Sequence, residues 1–375
     1  MKLVTLLGTR PEIIRLSRVI EKLDRLCEHV LVHTGQNYDA RLSDVFFDEL
    51  GVRAPDRYLG VREETFGAQI GAIVAGAEKV LLDEQPDRLL ILGDTNSGLA
   101  ALPAKRLGIP VFHMEAGNRC YDDRVPEEVN RRIIDHSSDV LMPYTERSRM
   151  NLLREGFAGE RVYVIGNPIL EVLRHHEAQI GASDVLSRIG VTAQRYFLVT
   201  LHREENVDVE PRLRAFFDGL SALRREHDLP VICSVHPRTR ERLDRGELAV
   251  DSELVLADPF GLFDFVALEK NAYCVLSDSG TVQEECCIFG VPNVTLRDVT
   301  ERPETIESGS NILSGASADA IIAAVRTVFA AEPNWRVPPE YLVADVSTTV
   351  VKLLLGHLEL QPQAQLRSVG AATAS

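Results

Sequence analysis

The chain has 375 residues, of which 45% are hydrophobic and 26% are charged, and its formal net charge at pH 7 is −15. This length exceeds what one ordinary hydrophobic core organises and predicts two domains. The acidic balance excludes a general nucleic-acid-binding protein, and the apolar runs are too short to span a membrane.

The first half of the chain alternates short apolar runs with longer amphipathic segments. The opening run KLVTLLG is followed by PEIIRLSRVIEKLDRL, in which apolar residues recur at helical spacing. Five more apolar runs continue the series, namely HVLVHTG, RLLILGD, PVFHMEAG, DVLMPY and RVYVIGN. Such alternation predicts βαβ units and a mainly parallel sheet with helices on both faces.

The alternation restarts after a polar segment that covers about residues 168–195. The second series of predicted strands comprises YFLVTLH, PVICSVHP, LVLADP, CVLSDSG and PNVTLR. We therefore predict an α/β fold with two Rossmann-like, doubly wound domains, the first over 1–168 and the second over 169–340. A last helix within 341–362 is expected to pack back on the first domain, and 363–375 to form a tail.

The cysteines and the N-terminus bear on compartment and metal content. Six cysteines are scattered, with no C-x-x-C pair and no spacing typical of a zinc site, so we expect no metal. The adjacent Cys286 and Cys287 are expected to be buried thiols on a helix. The apolar N-terminal run is too short for a signal peptide, and scattered cysteines favour a cytoplasmic location.

Chemically active side chains follow several predicted strands at the point where each strand ends. In open parallel sheets, ligands bind beyond the carboxyl ends of the strands. Each polar residue alone is explained as a helix cap, but caps do not require arginine, histidine and glutamate together. We therefore predict a ligand site to which both domains contribute. The residues at these ends are Arg10, Asp94, Glu115, His202, His236 and Ser279.

Two stretches favour an anionic ligand. In SDSGTVQEE, a small-residue turn opens a helix whose free N–H groups suit an anion, and Arg302 is expected to reach the same anion as a bidentate donor. Arg10 opens another helix, where a cation is unfavourable unless an anion is bound. The chain has neither a P-loop nor a G-x-G-x-x-G motif, so nicotinamide dinucleotide binding is not supported.

Acid–base chemistry is suggested by a third carboxylate and a histidine. Glu127 and Glu128 in RVPEEVNRR make an ordinary helix start, yet the short loop from HMEAGNR lets a carboxylate approach Glu115. Crowded carboxylates push one pKa upward. His202, when protonated, is suited to stabilise or protonate a departing phosphate.

Taken in order, these motifs resemble those of the non-hydrolysing UDP-N-acetylglucosamine 2-epimerases. The resemblance runs over about residues 3–315 and is carried by GTRPE, GDTNS, HMEAGNR, PEEVNR, HREEN, HPRT, SDSGTVQEE and TERPE. It implies the two-domain glycosyltransferase-B arrangement, a UDP-sugar as the small-molecule partner, no metal or other cofactor, and a homodimer.

The family reaction inverts C2 of the sugar in UDP-N-acetylglucosamine (UDP-GlcNAc) to give UDP-N-acetylmannosamine (UDP-ManNAc), through elimination of UDP and its re-addition to a 2-acetamidoglucal. The resemblance implies catalytic roles for Asp94, Glu115, Glu127 and His202, without saying which carboxylate is acid and which is base. It also implies that further residues bind the substrate, namely Arg10, Arg15, Phe260, Phe265, Ser279, Gly280, Thr281, Glu285 and Arg302.

Three positions depart from the family pattern. Many members carry lysine where this chain has Arg15, and glutamine where it has Phe260 beside the expected uracil site. Asn37–Asp39 replaces a Gln-His-Arg-type turn that is implicated in activation by a second UDP-GlcNAc, so we expect no such activation. The variant motifs are similar to those of surface-polysaccharide branches, which act on UDP-N-acetyl-L-fucosamine precursors or diacetamido uronate nucleotides.

Other functions remain open at this point. A glycosyltransferase of the same fold would share the nucleotide site but need an acceptor, and a hydrolysing epimerase would release free ManNAc. A catalytically silent nucleotide-sugar sensor would not need the carboxylates and His202.

Overall fold

The computed structural model describes residues 1–36, 40–235, 237–245, 250–330 and 332–357. Three features of the sequence lie outside the described residues: the turn Asn37–Asp39, His236, and the expected tail over 363–375. The chain divides into two compact units. The first comprises Met1–Val172 together with the chain from Val343 onward, and the second comprises Leu173–Leu342.

The first unit is built on six parallel strands. They are β1 (Lys2–Leu7), β2 (Glu28–His33), β3 (Arg57–Tyr58), β4 (Arg88–Leu92), β5 (Val111–Met114) and β6 (Val140–Met142). Their order across the sheet is β3-β2-β1-β4-β5-β6, with parallel pairing throughout. This is the doubly wound order, in which the direction of succession reverses between β1 and β4.

Helices connect these strands, and their apolar faces are buried. The helices of this part are α1 (Arg10–Leu26), α2 (Ala40–Leu50), α3 (Phe66–Glu84), α4 (Ala101–Arg106), α5 (Pro126–Ser137), α6 (Glu146–Arg154) and α7 (Ile169–His175). Single 3-10 turns lie at Asn96–Ala100 and Gly159–Arg161. In α1 the predicted helical spacing is confirmed, because Ile13, Leu16, Val19, Ile20 and Leu23 are buried and Ile14 is half-buried.

The second unit repeats the same topology. Its strands are β7 (Phe197–Leu201), β8 (Val231–Val235), β9 (Val255–Ala257), β10 (Cys274–Ser277), β11 (Asn293–Thr295) and β12 (Asn311–Leu313). They lie in the order β12-β11-β10-β7-β8-β9, all parallel, so the reversal falls between β7 and β10. Both units therefore confirm the predicted α/β class with doubly wound sheets.

The helices of the second unit include two that carry predicted site residues, α13 and α14. Those that the structure describes are α8 (Glu177–Gly181), α9 (Val185–Ile189), α10 (Glu204–Val207), α11 (Glu210–His227), α12 (Pro237–Asp244), α13 (Leu262–Lys270), α14 (Gly280–Phe289), α15 (Pro303–Ser308) and α16 (Ala318–Val328). Cys286 and Cys287 are buried on α14, as expected.

After a 3-10 turn at Pro339–Leu342, the chain returns to the first unit as α17 (Val346–Leu355). There Lys22 Nζ lies 2.8 Å from Asp345 Oδ1, and the same carboxylate accepts the Thr348 N–H at 3.1 Å. These contacts hold the N-terminus of α17 against α1, within the first unit.

The structure differs from the predicted strands in one place and adds two. RVYVIGN is not a strand: it makes a single bridge between Val162 and Leu141 beside β6. Pro143 follows β6 and has no N–H to donate, which limits further pairing there. The added strands β3 and β12 have two and three residues, too few for a periodic pattern to be seen.

Among the described residues, none of the helices is both long enough and apolar enough to cross a membrane. Within the same part of the chain, no group of three or more histidine, cysteine, aspartate or glutamate side chains is arranged to hold a metal ion.

Candidate active site

The loops that follow β1 and β4 are joined by the buried carboxyl group of Glu12. Glu12 Oε2 accepts the Gly8 N–H at 3.0 Å and the Thr9 hydroxyl at 2.7 Å, and Oε1 accepts the Thr95 hydroxyl at 3.1 Å. Burial raises the pKa of this carboxyl to about 7. Glu12 was not among the predicted site residues, although the T-x-x-E spacing of a capping box marks it as a group that binds the start of its helix.

Asp94 follows β4 and is held by Arg131 of α5. Arg131 Nε and Nη2 lie 2.7 and 2.6 Å from Asp94 Oδ2, and Nη1 lies 2.8 Å from Glu128 Oε2. Glu128 also accepts the N–H groups of Cys120 and Tyr121 at 3.0 and 3.1 Å. Burial opposes its ionisation, but the Cys120 N–H and the Arg131 guanidinium hold the pKa of Glu128 below its usual value.

Glu115 follows β5 with a backbone φ of 67°, in the left-handed region that a residue with a side chain rarely adopts. Its Oε1 accepts from Asn118 Nδ2 at 3.1 Å, and its Oε2 forms an ion pair with Arg15 Nη1. Arg15 is 2% exposed and Glu115 is 8% exposed, so this pair is buried. Backbone strain of this kind is often found at functional sites.

The sheet places Asp94 and Glu115 at the ends of two neighbouring strands, β4 and β5. Gly93, which precedes Asp94, donates its N–H to the Met114 carbonyl at 3.0 Å. A Cβ atom added to Gly93 would lie 3.8 Å from Glu115 Oε2, so the Glu115 carboxylate lies against the residue next to Asp94. Glu127 is half-buried in the first turn of α5, beside Glu128.

The structure adds guanidinium groups that the sequence did not assign to the carboxylates. Arg15 was predicted to bind substrate, and it lies against Glu115. Arg131 was not singled out, and it lies between Asp94 and Glu128. The carboxylates are thus arranged around cations rather than only around one another. Arg10 is exposed at the start of α1, with its guanidinium carbon 5.3 Å from the centroid of the Phe46 ring.

In the second unit, the buried carboxylate of Asp278 organises the ends of β7 and β10. It accepts the N–H groups of His202 and Arg203 at 3.1 and 3.0 Å and the Asn206 amide at 3.0 Å. His202 Nδ1 lies 2.8 Å from Asp278 Oδ1. Despite burial, His202 and Asn206 hold the pKa of Asp278 far below its usual range. These contacts orient the His202 ring, and the His202 side chain is 38% exposed.

The start of α14 is where the sequence predicts an anion site. Ser279 occupies the N-cap position without capping through its side chain, and its hydroxyl lies 2.8 Å from that of Thr281. A Cβ atom added to Gly280 would lie 3.8 Å from Arg302 Nη2, so the Arg302 guanidinium lies beside this turn. Arg302 Nε pairs with the buried Glu284.

The residues expected to bind the ribose and the uracil lie on α14, on α13 and just before α13. Glu285 is buried on α14. The neighbouring Glu269 of α13 is buried as well, and burial together with the Glu285 carboxylate raises its pKa well above the usual value. Phe260 and Phe265 are half-buried on either side of Gly261, whose carbonyl accepts the Phe265 N–H at 3.0 Å.

Comparisons with known proteins agree with one another. The profile of the family described as UDP-N-acetylglucosamine 2-epimerase matches residues 21–355. A Methanocaldococcus jannaschii protein named UDP-N-acetylglucosamine 2-epimerase is 42% identical over 348 residues, which are 90% of this chain and 95% of that protein. A Pseudomonas aeruginosa protein named UDP-2,3-diacetamido-2,3-dideoxy-D-glucuronate 2-epimerase is 38% identical over 87% of this chain and 92% of its own length.

A solved structure is similar over nearly the whole chain. The crystal structure of the M. jannaschii UDP-GlcNAc 2-epimerase in complex with UDP-GlcNAc and UDP matches with a TM-score of 0.88 and 40% identity. The match covers 94% of this chain and 99% of that one.

Proposed function

The chain belongs to the UDP-N-acetylglucosamine 2-epimerase family, and from that premise we propose that it is an isomerase that interconverts UDP-GlcNAc and UDP-ManNAc. The observation that carries the proposal is the 42% identity to a protein of that name, spread over 90% of the chain. The carboxylates at the ends of β4 and β5 supply the acid–base groups that such a reaction needs.

The chemistry explains why carboxylates stand beside cations. The C2 proton of the sugar is not acidic, so the anomeric C–O bond must weaken as the proton leaves. The electrons of the C2–H bond form the C1–C2 double bond of a 2-acetamidoglucal, and those of the C1–O bond leave with UDP. We assign the proton transfers to Asp94, Glu115 and Glu127. Arg131 and Arg15 orient two of these groups.

The second unit is suited to the leaving group. Asp278 fixes the orientation of the His202 ring, and we assign His202 to the departing diphosphate. Arg302 and the turn that begins α14 are suited to bind the phosphates, and we assign Arg10 to the phosphates as well, from the resemblance of its GTRPE motif to the family. We assign Glu285 to the ribose and Phe260 and Phe265 to the uracil.

The test is NMR of the purified protein with UDP-GlcNAc in D2O, with no acceptor present. Both the product and the recovered substrate should gain deuterium at C2, and the mixture should reach equilibrium. A glycosyltransferase would need an acceptor, and a hydrolysing epimerase would release free ManNAc. Retention of the original hydrogen at C2, or activity that disappears with EDTA and returns with a divalent ion, would contradict the proposal.

A second substrate has a specific observation in its favour. The P. aeruginosa relative that is 38% identical is named for a diacetamido glucuronate nucleotide. We therefore include that nucleotide, and the precursor of UDP-N-acetyl-L-fucosamine, in the same experiment. The nucleotide with the highest kcat/KM is the preferred substrate. The predicted homodimer and cytoplasmic location are further proposals, to be checked by light scattering and cell fractionation.

A further inference from the structure

His113 lies in β5, two residues before Glu115, and its side chain is 1% exposed. Both nitrogens of its ring have hydrogen-bond partners. Nε2 lies 2.8 Å from the carbonyl oxygen of Gly93, and Nδ1 lies 2.8 Å from Asp135 Oδ1. The ring therefore joins the end of β4 to α5 across β5.

Both partners of the ring are hydrogen-bond acceptors. A carbonyl oxygen accepts and cannot donate. The second oxygen of Asp135 accepts the Gly117 N–H at 3.2 Å and lies 2.8 Å from Arg119 Nη2. Although burial opposes ionisation, His113 and Arg119 keep the pKa of Asp135 below its usual value. An ionised Asp135 can only accept, so His113 donates from both ring nitrogens.

Opposite charges balance around the ring. Arg119 has a side chain that is fully buried, and it pairs with Asp135 and also with Glu155 Oε2 at 2.6 Å. A doubly donating His113 and Arg119 thus face two carboxylates, of which Asp135 is buried and Glu155 is 25% exposed. Such a hydrogen-bonded group of charges fixes the relative positions of the elements that carry it.

Each element that His113 joins carries one of the residues assigned to proton transfer. Gly93 directly precedes Asp94, Glu115 follows His113 in the chain, and Asp135 shares α5 with Glu127. We propose that His113 is a positioning residue for the epimerisation: by donating to Gly93 and Asp135, it keeps these three carboxylates in register. The part of the proposal that concerns turnover rests on the proposed function.

The test is the variant His113→Gln, whose side-chain amide can donate to only one of the two acceptors at a time. Displacing reacting groups by about an ångström lowers turnover by as much as ~100-fold, so we expect kcat to fall by roughly 10–100-fold. UDP affinity, measured by calorimetry, should stay unchanged, because the residues assigned to UDP lie mostly in the second unit.

His29→Gln is a matched control. The His29 side chain is also 1% exposed, and its ring lies 2.6 Å from Asp24 Oδ1 and 2.8 Å from Thr5 Oγ1. It lies at the start of β2, at the opposite end of the same sheet from the strand ends that carry the carboxylates. We expect this variant to lose stability while its kcat stays at the value of the unmodified protein.

Several results would overturn the proposal. One is a folded His113→Gln protein with unchanged kcat, and another is an equal loss of kcat in His29→Gln. If His113→Gln does not fold, the unmodified protein still provides a test through its long-range 1H–15N spectrum. Protons on both ring nitrogens of His113 support the proposal, and a neutral ring overturns it. Lack of any epimerisation by the unmodified protein would refute the proposed function instead, while the spectrum would still decide how His113 is bonded.

Discussion

The guanidinium of Arg131 contacts the carboxylate of Asp94 through two nitrogens, Nε at 2.7 Å and Nη2 at 2.6 Å. The same guanidinium reaches Glu128 through its third nitrogen at 2.8 Å. A planar fork with fixed donors holds a carboxylate in one orientation more strictly than a single point charge does. The direction of the Asp94 carboxylate is therefore set by α5, not by its own loop alone.

Replacing Arg131 with lysine tests this relationship. Lysine keeps the charge but cannot donate to both carboxylates in the same fixed geometry. We expect kcat to fall by roughly 10–100-fold through misplacement of Asp94, with UDP affinity unchanged. Arg326 of the second unit, which is 65% exposed and pairs with Glu226 through Nε and Nη2, is the control. Equal kcat values for Arg131→Lys and Arg326→Lys would show that the fork does not position Asp94.

The isosteric changes Asp94→Asn and Glu115→Gln test the carboxylates themselves. Each keeps the size of the side chain and removes its charge and its ability to take a proton. A general acid or base contributes ~10²–10⁴-fold to rate, so kcat should fall by about that factor while UDP affinity changes little. Turnover in D2O and calorimetry with UDP measure the two effects.

Asp87→Asn is the control for these two variants. Asp87 directly precedes β4, at the opposite end of the strand from Asp94, and accepts the Lys2 N–H at 2.8 Å. We expect this variant to turn over normally. If Asp94→Asn and Glu115→Gln also turn over normally, the strand-end carboxylates serve only to cap and support the fold.

The sequence predicts the placement of the carboxylates well because that placement follows from local patterns. An apolar run that stops at Asp94 or Glu115 indicates a strand end, and parallel strands bring their carboxyl ends to one edge. The cations at these carboxylates could not be predicted in the same way. Arg131 is separated from Asp94 by 37 residues and Arg15 from Glu115 by 100 residues. No periodicity or motif spacing connects positions that far apart.

One edge strand of each sheet, β3 and β12, was missed for a different reason. Strands β3 and β12 make few ladder contacts and contain no alternating pattern, because each has at most three residues. RVYVIGN has the composition of a strand, yet it makes a single bridge to the backbone beside it. Pro143 in that neighbouring backbone has no N–H with which to continue the pairing. In each case the pairing partner decides the structure, and the local sequence does not contain that partner.

The pH dependence of stability should reveal Glu12. Its pKa is about 7 in the folded chain against an ordinary value of 4.5, so the folded state binds this proton more tightly than the unfolded state does. The stabilisation of the folded state by protonated Glu12 is fully present below about pH 4.5. It decreases as the pH rises towards 7 and is lost above that pH. Glu12→Gln keeps a neutral side chain of the same size. The Glu12→Gln variant should therefore show a smaller change of melting temperature with pH. At pH 8 its melting temperature should be higher than that of the unmodified protein.

Thermal melting of both proteins between pH 4.5 and 8 measures this difference. Glu84 provides a contrast, because its salt bridge with Lys2 keeps its pKa below the usual value, and its stabilising effect is retained at pH 8. Glu84→Gln should therefore lower the melting temperature at pH 8. If the melting temperature of Glu12→Gln changes with pH as much as that of the unmodified protein does, Glu12 is already ionised when buried.

His202 should differ from the carboxylates by affecting both binding and turnover. Its ring is oriented by Asp278 and is assigned to the diphosphate, so His202→Ala removes a contact to a charged group. Such contacts contribute roughly 1.5–3 kcal/mol, and UDP should bind more weakly by about that amount while kcat also falls.

Asp278→Asn should act in the same direction, because its amide presents a donor where the ring and the N–H groups of His202 and Arg203 need an acceptor. His175→Ala, at an exposed histidine of the second unit, should change neither quantity. UDP affinity is measured by calorimetry, and turnover is measured for the same three variants. Normal UDP affinity in His202→Ala would contradict the assignment of this histidine to the diphosphate.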